Sequence, residues 1–149
     1  MKKLPKITII IPVKNAGKTL QKTFDSIKLQ DYKNLELIVM DGLSTDNTME
    51  VIDNNMEIID TVISEKDDSS AAACNKAIGL STGDIINFLY GDDYFVDNAL
   101  KRIAEVANEK NNFDMISYGL SIENLETGKI LLESKNKKIF LSILIIFYL

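Results

Sequence analysis

Two neighbouring carboxylates, Asp92 and Asp93, follow Gly91 at the end of the largely apolar run Ile85–Tyr90. Adjacent anions repel, and keeping both ionised beside an apolar strand is costly unless something positive sits with them. A hard divalent cation is one such partner, since Mg²⁺ and Mn²⁺ take oxygen ligands from carboxylates and phosphates. The chain contains no histidine and a single cysteine, Cys74. Ser-His-Asp and Cys-His catalysis are therefore excluded, together with the common His- or Cys-ligated zinc sites. Acid–base work must fall to Asp, Glu, Lys or Tyr, and any metal must be held by oxygen.

The elements that position these groups can be read from hydrophobic patterning. Ile7–Ile11 is β-branched and nearly continuous in apolar character, as in a strand covered on both faces. A loop from Pro12 to Gly17 leads to a helix over about Lys18–Leu29, with Leu20, Phe24 and Ile27 on one face. Leu35–Met40 reads as a second buried strand ending at Asp41-Gly42. Asn47 and Glu50 stand at capping-box spacing for a short helix near Met49–Asn54. A third strand, Thr61–Ser64, gives way to the polar loop Glu65-Lys66-Asp67-Asp68. The alanine-rich stretch Ser70–Leu80 reads as a helix ended by Thr82-Gly83. The run Ile85–Tyr90 is then expected as a buried central strand, and Asp97 as the cap of a helix containing Leu100, Ile103 and Ala104. Asp114–Ile122 and Lys129–Glu133 read as paired strands around Thr127-Gly128.

Alternating strands and helices predict a mostly parallel sheet with helices on both faces. Ligands of such sheets bind outside the carboxyl ends of the strands. Lys14, Asn15, Asp41, Asp67, Asp68, Asp92 and Asp93 all fall there, delivered by four separate loops. The expected product is a nucleotide pocket built around a metal site.

The 149 residues, 46% hydrophobic and 26% charged, suffice for one domain and not for two. A net charge of −5 without an extended basic run argues against nucleic-acid binding. One cysteine permits no intrachain disulfide, in keeping with a reducing compartment. Met1-Lys2-Lys3 before an apolar run superficially suggests a signal peptide. Pro12 and Lys14 interrupt that run, and no small-residue cleavage site follows.

Two nucleotide-binding signatures compete. No GxGxxG follows any strand. Gly17-Lys18-Thr19 follows a buried strand and opens a helix, as in a phosphate-loop NTPase, but Pro12 stands where that loop needs a glycine. Proline has no N–H to offer a phosphate. A metal bridging Asp92 or Asp93 to a diphosphate would serve instead of a glycine-rich cradle, and would act as a Lewis acid for a departing nucleotide.

Several ordered motifs resemble family-two glycosyltransferases. They are Ile9-Ile10-Ile11-Pro12-Val13-Lys14-Asn15-Ala16, Met40-Asp41-Gly42-Leu43-Ser44-Thr45-Asp46-Asn47-Thr48, Asn75-Lys76-Ala77, Thr82-Gly83-Asp84 and Phe88-Leu89-Tyr90-Gly91-Asp92-Asp93-Tyr94-Phe95. The resemblance covers about Ile7–Glu133. It implies an α/β, three-layer GT-A fold (Rossmann-like, of the nucleotide-diphospho-sugar transferase kind), a nucleotide-diphosphate sugar donor, most often UDP-linked, and Mn²⁺ or Mg²⁺. It further implies inversion at the anomeric carbon and a glycan or lipid-linked acceptor in surface polysaccharide synthesis. The implied location is cytoplasmic, peripheral at the inner face of the membrane.

Carried over residue by residue, the resemblance implies donor binding by Pro12, Val13, Lys14, Asn15, Asp41, Asp67, Lys76 and Asp92, and metal binding by Asp92 and Asp93. Gly42 stands where a second acid is frequent, and Ser69 and Ala72 replace a glycine and an acid beyond Asp67. Tyr90 replaces the first acid of the family's DXD motif, which leaves Asp92 at its third position. The plainer alternatives are that Asp92-Asp93 and Asp41-Gly42 are turns, Asp67-Asp68 a solvated loop, Lys76 an exposed helix lysine and Cys74 a small packed residue.

Residues 4–134 are expected to form an incomplete nucleotide-sugar-binding domain. In residues 135–149, Lys137-Lys138 precede the apolar run Ile139–Leu149, too short to span a bilayer as a helix. It is expected to open an acceptor-side segment carrying the catalytic base; a membrane-surface contact is the alternative, and its exposed apolar surface could drive self-association. The remaining functional alternatives are a catalytically inactive nucleotide-binding remnant and the phosphate-loop NTPase.

Overall fold

The computed structural model describes residues 4–109, 121–123 and 130–133. The chain divides into two compact units, Met1–Ala104 and Glu105–Leu149.

The first unit is built on four parallel strands in the order β3-β2-β1-β4: β1 (Ile7–Val13), β2 (Leu35–Asp41), β3 (Thr61–Ser64) and β4 (Ile85–Phe88). All seven β1 residues are buried, as its continuous apolar run requires of a strand covered on both faces. Helix α3 (Ser70–Leu80) packs on β1 and β2. Its buried Ala73 and Ala77, one turn apart, join Ile10, Ile38 and Met40 in a cluster flanked by Ile63, Ile86 and Phe88. Ile9, Ile11 and Val13 alternate to the other face of β1. There α1 (Leu20–Lys28) buries Leu20, Phe24 and Ile27, and α2 (Thr48–Asp53) packs beside α1. The result is the expected three-layer α/β arrangement. A helix α4 (Ala99–Glu109) follows. Among the described residues, no helix is long and apolar enough to cross a membrane.

Several local expectations are corrected. β1 runs two residues further than Ile11, because its pairing with β2 continues to Val13↔Asp41. Pro12 is tolerated inside it for a geometric reason. Ile10 O accepts from Leu89 N on the β4 side, while Val13 O accepts from Gly42 N on the β2 side. By alternation Pro12 faces the β4 side, where pairing has already ended at Ile10↔Phe88. Its missing N–H therefore breaks no ladder bond.

β4 ends at Phe88 rather than Tyr90 and is only partly buried, and among the described residues its one neighbour is β1. It is thus an edge rather than a central strand of the described sheet. The Asn47–Glu50 capping box does not form: Asn47 makes no side-chain cap, and Asp46 Oδ1 accepts from Thr48 N at 3.0 Å instead. Helix α4 begins beyond Asn98, whose carbonyl accepts the Arg102 N–H, and not directly beyond Asp97.

In the second unit, β5 (Ser121–Glu123) and β6 (Ile130–Glu133) pair antiparallel, with a register irregularity at Ile122/Glu123. The turn expected at Thr127-Gly128, the stretch 114–120 and the apolar tail 135–149 lie outside the described residues.

Candidate functional site

The carboxyl ends of the four strands present the polar loops foreseen there. Val13 and Asp41 are the last residues of β1 and β2 and pair directly. Pro12 and Val13 are buried, and Lys14 and Asn15 are exposed just beyond. The Lys14 side chain lies against Gly42: a Cβ built on that glycine would stand 3.5 Å from Lys14 Cδ.

Asp41 is buried at 1% exposure, and its carboxylate is heavily engaged. It accepts from Ser44 N at 3.2 Å, from Ser44 Oγ at 2.5 Å and from Ser64 Oγ at 2.6 Å. Its oxygens thus tie the end of β3 to the loop after β2. The plain Asp-Gly turn foreseen as an alternative is therefore too small a description of it.

The loop after β1 is zipped to the loop after β2. Asn15, with a left-handed φ of 55°, donates its N–H to Ser44 Oγ at 2.8 Å and accepts from Thr45 N at 2.8 Å through Oδ1. Ala16 N donates to Thr48 Oγ1 at 2.8 Å, and Gly17 N to Asp46 Oδ2 at 3.1 Å. A phosphate loop works by pointing successive free N–H groups at its ligand. Here three consecutive N–H groups are taken by side chains, one of them an acid, so the NTPase reading is not favoured. Gly17 lies close to the exposed Asn47 side chain, which would have to shift to admit a Cβ, 2.0 Å from its Oδ1.

Asp67 lies between β3 and α3, and its side chain retains only 11% exposure. Among the described residues its Oδ2 is buried and accepts no hydrogen bond. A buried carboxylate oxygen left in that state is costly, so it marks a place where a donor group would be gained. Lys76, on α3, pairs with Glu65 and lies 3.9 Å from Asp67 Oδ1. Hydrogen bonding to Glu65 raises the Lys76 pKa, with the Glu65 and Asp67 anions adding to the rise. Lys76 is thus an exposed helix lysine that also bridges Glu65 and Asp67 of the β3–α3 loop to α3.

Asp92 and Asp93 are exposed at the tip of the loop beyond β4. Partial desolvation and the Asp92 anion push the Asp93 carboxyl above its ordinary value. Burial and the Asp67 anion raise the buried Cys74 thiol. Burial, Cys74 and Asp93 raise the Tyr90 phenol. Asp67 follows β3 and the acid pair follows β4, so both stand beyond the carboxyl ends of strands in the parallel sheet. Gly91 permits the approach of that loop to β1, because a Cβ there would stand 2.7 Å from Val13 Cγ1 and 3.0 Å from Ala16 Cβ.

Among the described residues, no group of three or more His, Cys, Asp or Glu side chains clusters to hold a metal on its own. Asp92 and Asp93 form a smaller, all-oxygen donor set. That fits a hard cation whose remaining positions are filled by phosphate oxygens and water.

Reasoning from the sequence missed a buried polar stripe on α1 and just beyond its end, namely Thr23 and Ser26 on the helix and Gln30 after it. Their spacing of three and four residues was the available signal, but a solvated helix face has the same spacing.

Comparison with known proteins places this geometry in context. The model for "Glycosyl transferase family 2" matches residues 8–146. The chain is 34% identical over 110 residues to the GalNAc(5)-diNAcBac-PP-undecaprenol beta-1,3-glucosyltransferase of Campylobacter jejuni, covering 71% of this chain and 36% of that protein. It is 32% identical over 126 residues to the Escherichia coli UDP-Glc:alpha-D-GlcNAc-diphosphoundecaprenol beta-1,3-glucosyltransferase WfaP, covering 82% and 49% respectively. Among solved structures, the mannosyltransferase PcManGT from Pyrobaculum calidifontis, in complex with GDP-Man and Mn²⁺, superposes with a TM-score of 0.61 at 28% identity, covering 70% of this chain and 32% of that one. The chain thus spans about a third to a half of the length of these curated relatives.

Proposed function

Because the chain belongs to glycosyl transferase family 2, we propose that it forms the donor-binding part of an enzyme moving a sugar from a nucleotide-diphosphate sugar to a glycan or lipid-linked acceptor. The observation that carries this reading is the buried Asp67 oxygen, unmet among the described residues, at the same carboxyl-terminal end of the parallel strands as the Asp92–Asp93 loop. Acceptor atoms lacking donors suit the N–H and hydroxyl groups of a nucleoside, and the paired carboxylates suit a cation beside a diphosphate.

In this reading Pro12, Val13, Lys14 and Asn15 line the nucleoside with Asp41 behind them, and Asp67 and Lys76 close the donor loop. Asp92 and Asp93 would hold Mn²⁺ or Mg²⁺, which would supply charge neutralisation and Lewis acidity at the diphosphate. The acceptor hydroxyl displaces the nucleotide diphosphate at the anomeric carbon with inversion, and its proton passes to a carboxylate base. None of the described residues is assigned that role. The UDP-linked donor and the undecaprenyl-type acceptor are supported by the names of the Escherichia coli and Campylobacter jejuni relatives. Such acceptors favour action at the inner face of a membrane.

Thermal shift with UDP, GDP and ATP, with and without Mn²⁺, tests the reading. The expected result is stabilisation by UDP that needs the metal and disappears when Asp92→Ala and Asp93→Ala are combined. A preference for ATP that depends on Lys18 would overturn it.

A further inference from the structure

Resting on the donor-and-metal reading above, we propose that α1 is the positioning element for the acid pair, and that Thr23 is its central positioning residue. The Thr23 hydroxyl donates to the main-chain carbonyl of Asp93 at 2.7 Å. One turn earlier, Thr19 Oγ1 donates to Gly91 O at 2.7 Å. One turn later, Ser26 Oγ accepts from Phe95 N at 3.1 Å. Beyond the helix end, Gln30 Nε2 donates to Val96 O at 3.1 Å while its Oε1 accepts from Leu100 N at 3.2 Å. From the neighbouring stripe, Lys22 Nζ sits 3.8 Å from the centroid of the Tyr94 ring.

Thr19, Thr23, Ser26 and Gln30 recur at helical spacing and form one stripe. Thr23, Ser26 and Gln30 are buried, at 1%, 6% and 7% exposure. An apolar stripe would bury the same surface without having to satisfy polar atoms. What the polar stripe adds is direction, because each of its bonds to the loop meets main chain. The path of residues 91–96 is thereby held independently of the loop's own side chains, and both Asp92 and Asp93 remain exposed. Two like charges on an unsupported loop would relax apart. A loop already fixed on α1 loses less conformational freedom when it takes a cation.

Thr23 then acts on the metal through Asp93 rather than on the nucleoside contacts at the ends of β1 and β2. The test titrates Mn²⁺ into the full chain with UDP present, reading free Mn²⁺ by electron paramagnetic resonance, and follows amide hydrogen exchange of residues 91–96 in the metal-free protein. Thr23→Val should weaken Mn²⁺ binding about tenfold, the usual scale for loss of an outer-shell partner. It should also speed exchange in the loop while the metal-free melting midpoint moves by only a few degrees. Thr23→Ser should restore both. Wild-type Mn²⁺ affinity in Thr23→Val, or equal impairment in the Val and Ser variants, overturns the positioning role alone. Failure of the wild-type chain to bind Mn²⁺ with UDP present removes the donor-and-metal reading and this proposal with it. If Thr23→Val does not fold, Thr19→Val reads the same device at Gly91, with the same two outcomes.

Discussion

The Thr8 hydroxyl on β1 donates a 2.6 Å hydrogen bond to Glu36 Oε2 on β2, at the end of the sheet opposite the acid pair. Glu36 is buried there and also accepts from Lys6 Nζ at 2.9 Å, Thr82 N at 2.8 Å and Thr82 Oγ1 at 2.5 Å. One carboxylate thus joins β1, β2 and the entry to β4. Burial alone would raise its pKa, but the four hydrogen bonds outweigh burial and lower it from 4.5 to about 2.

A pH dependence follows. The folded value lies below the unfolded one, so Glu36 contributes stability that is fully present above about pH 4.5 and is lost as pH falls towards 2. The contribution is on the order of 3 kcal/mol. Urea unfolding between pH 7 and pH 2.5 should show that loss in the wild type and a much flatter profile in Glu36→Gln, which starts from lower stability at neutral pH. Parallel profiles would contradict the assignment.

Two glycines should respond in opposite directions to alanine. Gly91→Ala forces a methyl against Val13 and Ala16, an overpacking cost of about 1–3 kcal/mol, and should also abolish metal-dependent stabilisation by UDP. Gly79 lies on α3 with open space around its Cα, so Gly79→Ala should stabilise by about 0.5–1 kcal/mol. Thermal midpoints of the two variants provide the check.

Leu43 adopts a left-handed φ of 56° in the loop held by Asp41, and its side chain is half exposed. The strain is about 1–2 kcal/mol for a residue with a Cβ. Leu43→Gly relieves it at an entropic cost of about 0.5–1 kcal/mol. The variant should therefore be neutral or more stable by up to about 1.5 kcal/mol, whereas β-branched Leu43→Ile should be less stable than wild type. A clear loss on Leu43→Gly in chemical denaturation would mean that the side chain makes contacts worth more than the strain.

Asp67→Asn separates binding from folding. Its buried Oδ2 has no bond to lose among the described residues, so stability of the ligand-free chain should change by less than about 1 kcal/mol. UDP affinity, measured calorimetrically, should fall at least several-fold, because an amide presents a donor where the nucleoside would bring one of its own. Undiminished affinity would remove Asp67 from the donor site.

The sequence by itself was enough to determine the layered α/β arrangement and the edge at which chemistry could occur. Burial of the β-branched run Ile7–Ile11 on both faces and the alternation of strands with helices leave few topologies, and parallel strands bring their carboxyl ends to one side. Asp41, Asp67 and Asp92–Asp93 were legible for that reason, since each lies just past or at the end of an apolar run. Only the tertiary structure decided how those loops are held. Asn47 looks like a helix cap, yet the capping at α2 comes from Asp46, and the Thr19 hydroxyl before α1 goes to Gly91. Thr23 reaches a carbonyl 70 residues away. Local spacing cannot distinguish a hydroxyl that faces water from one that meets the main chain of a distant loop, because both satisfy the same hydrogen-bonding need. Long-range packing alone selects between them.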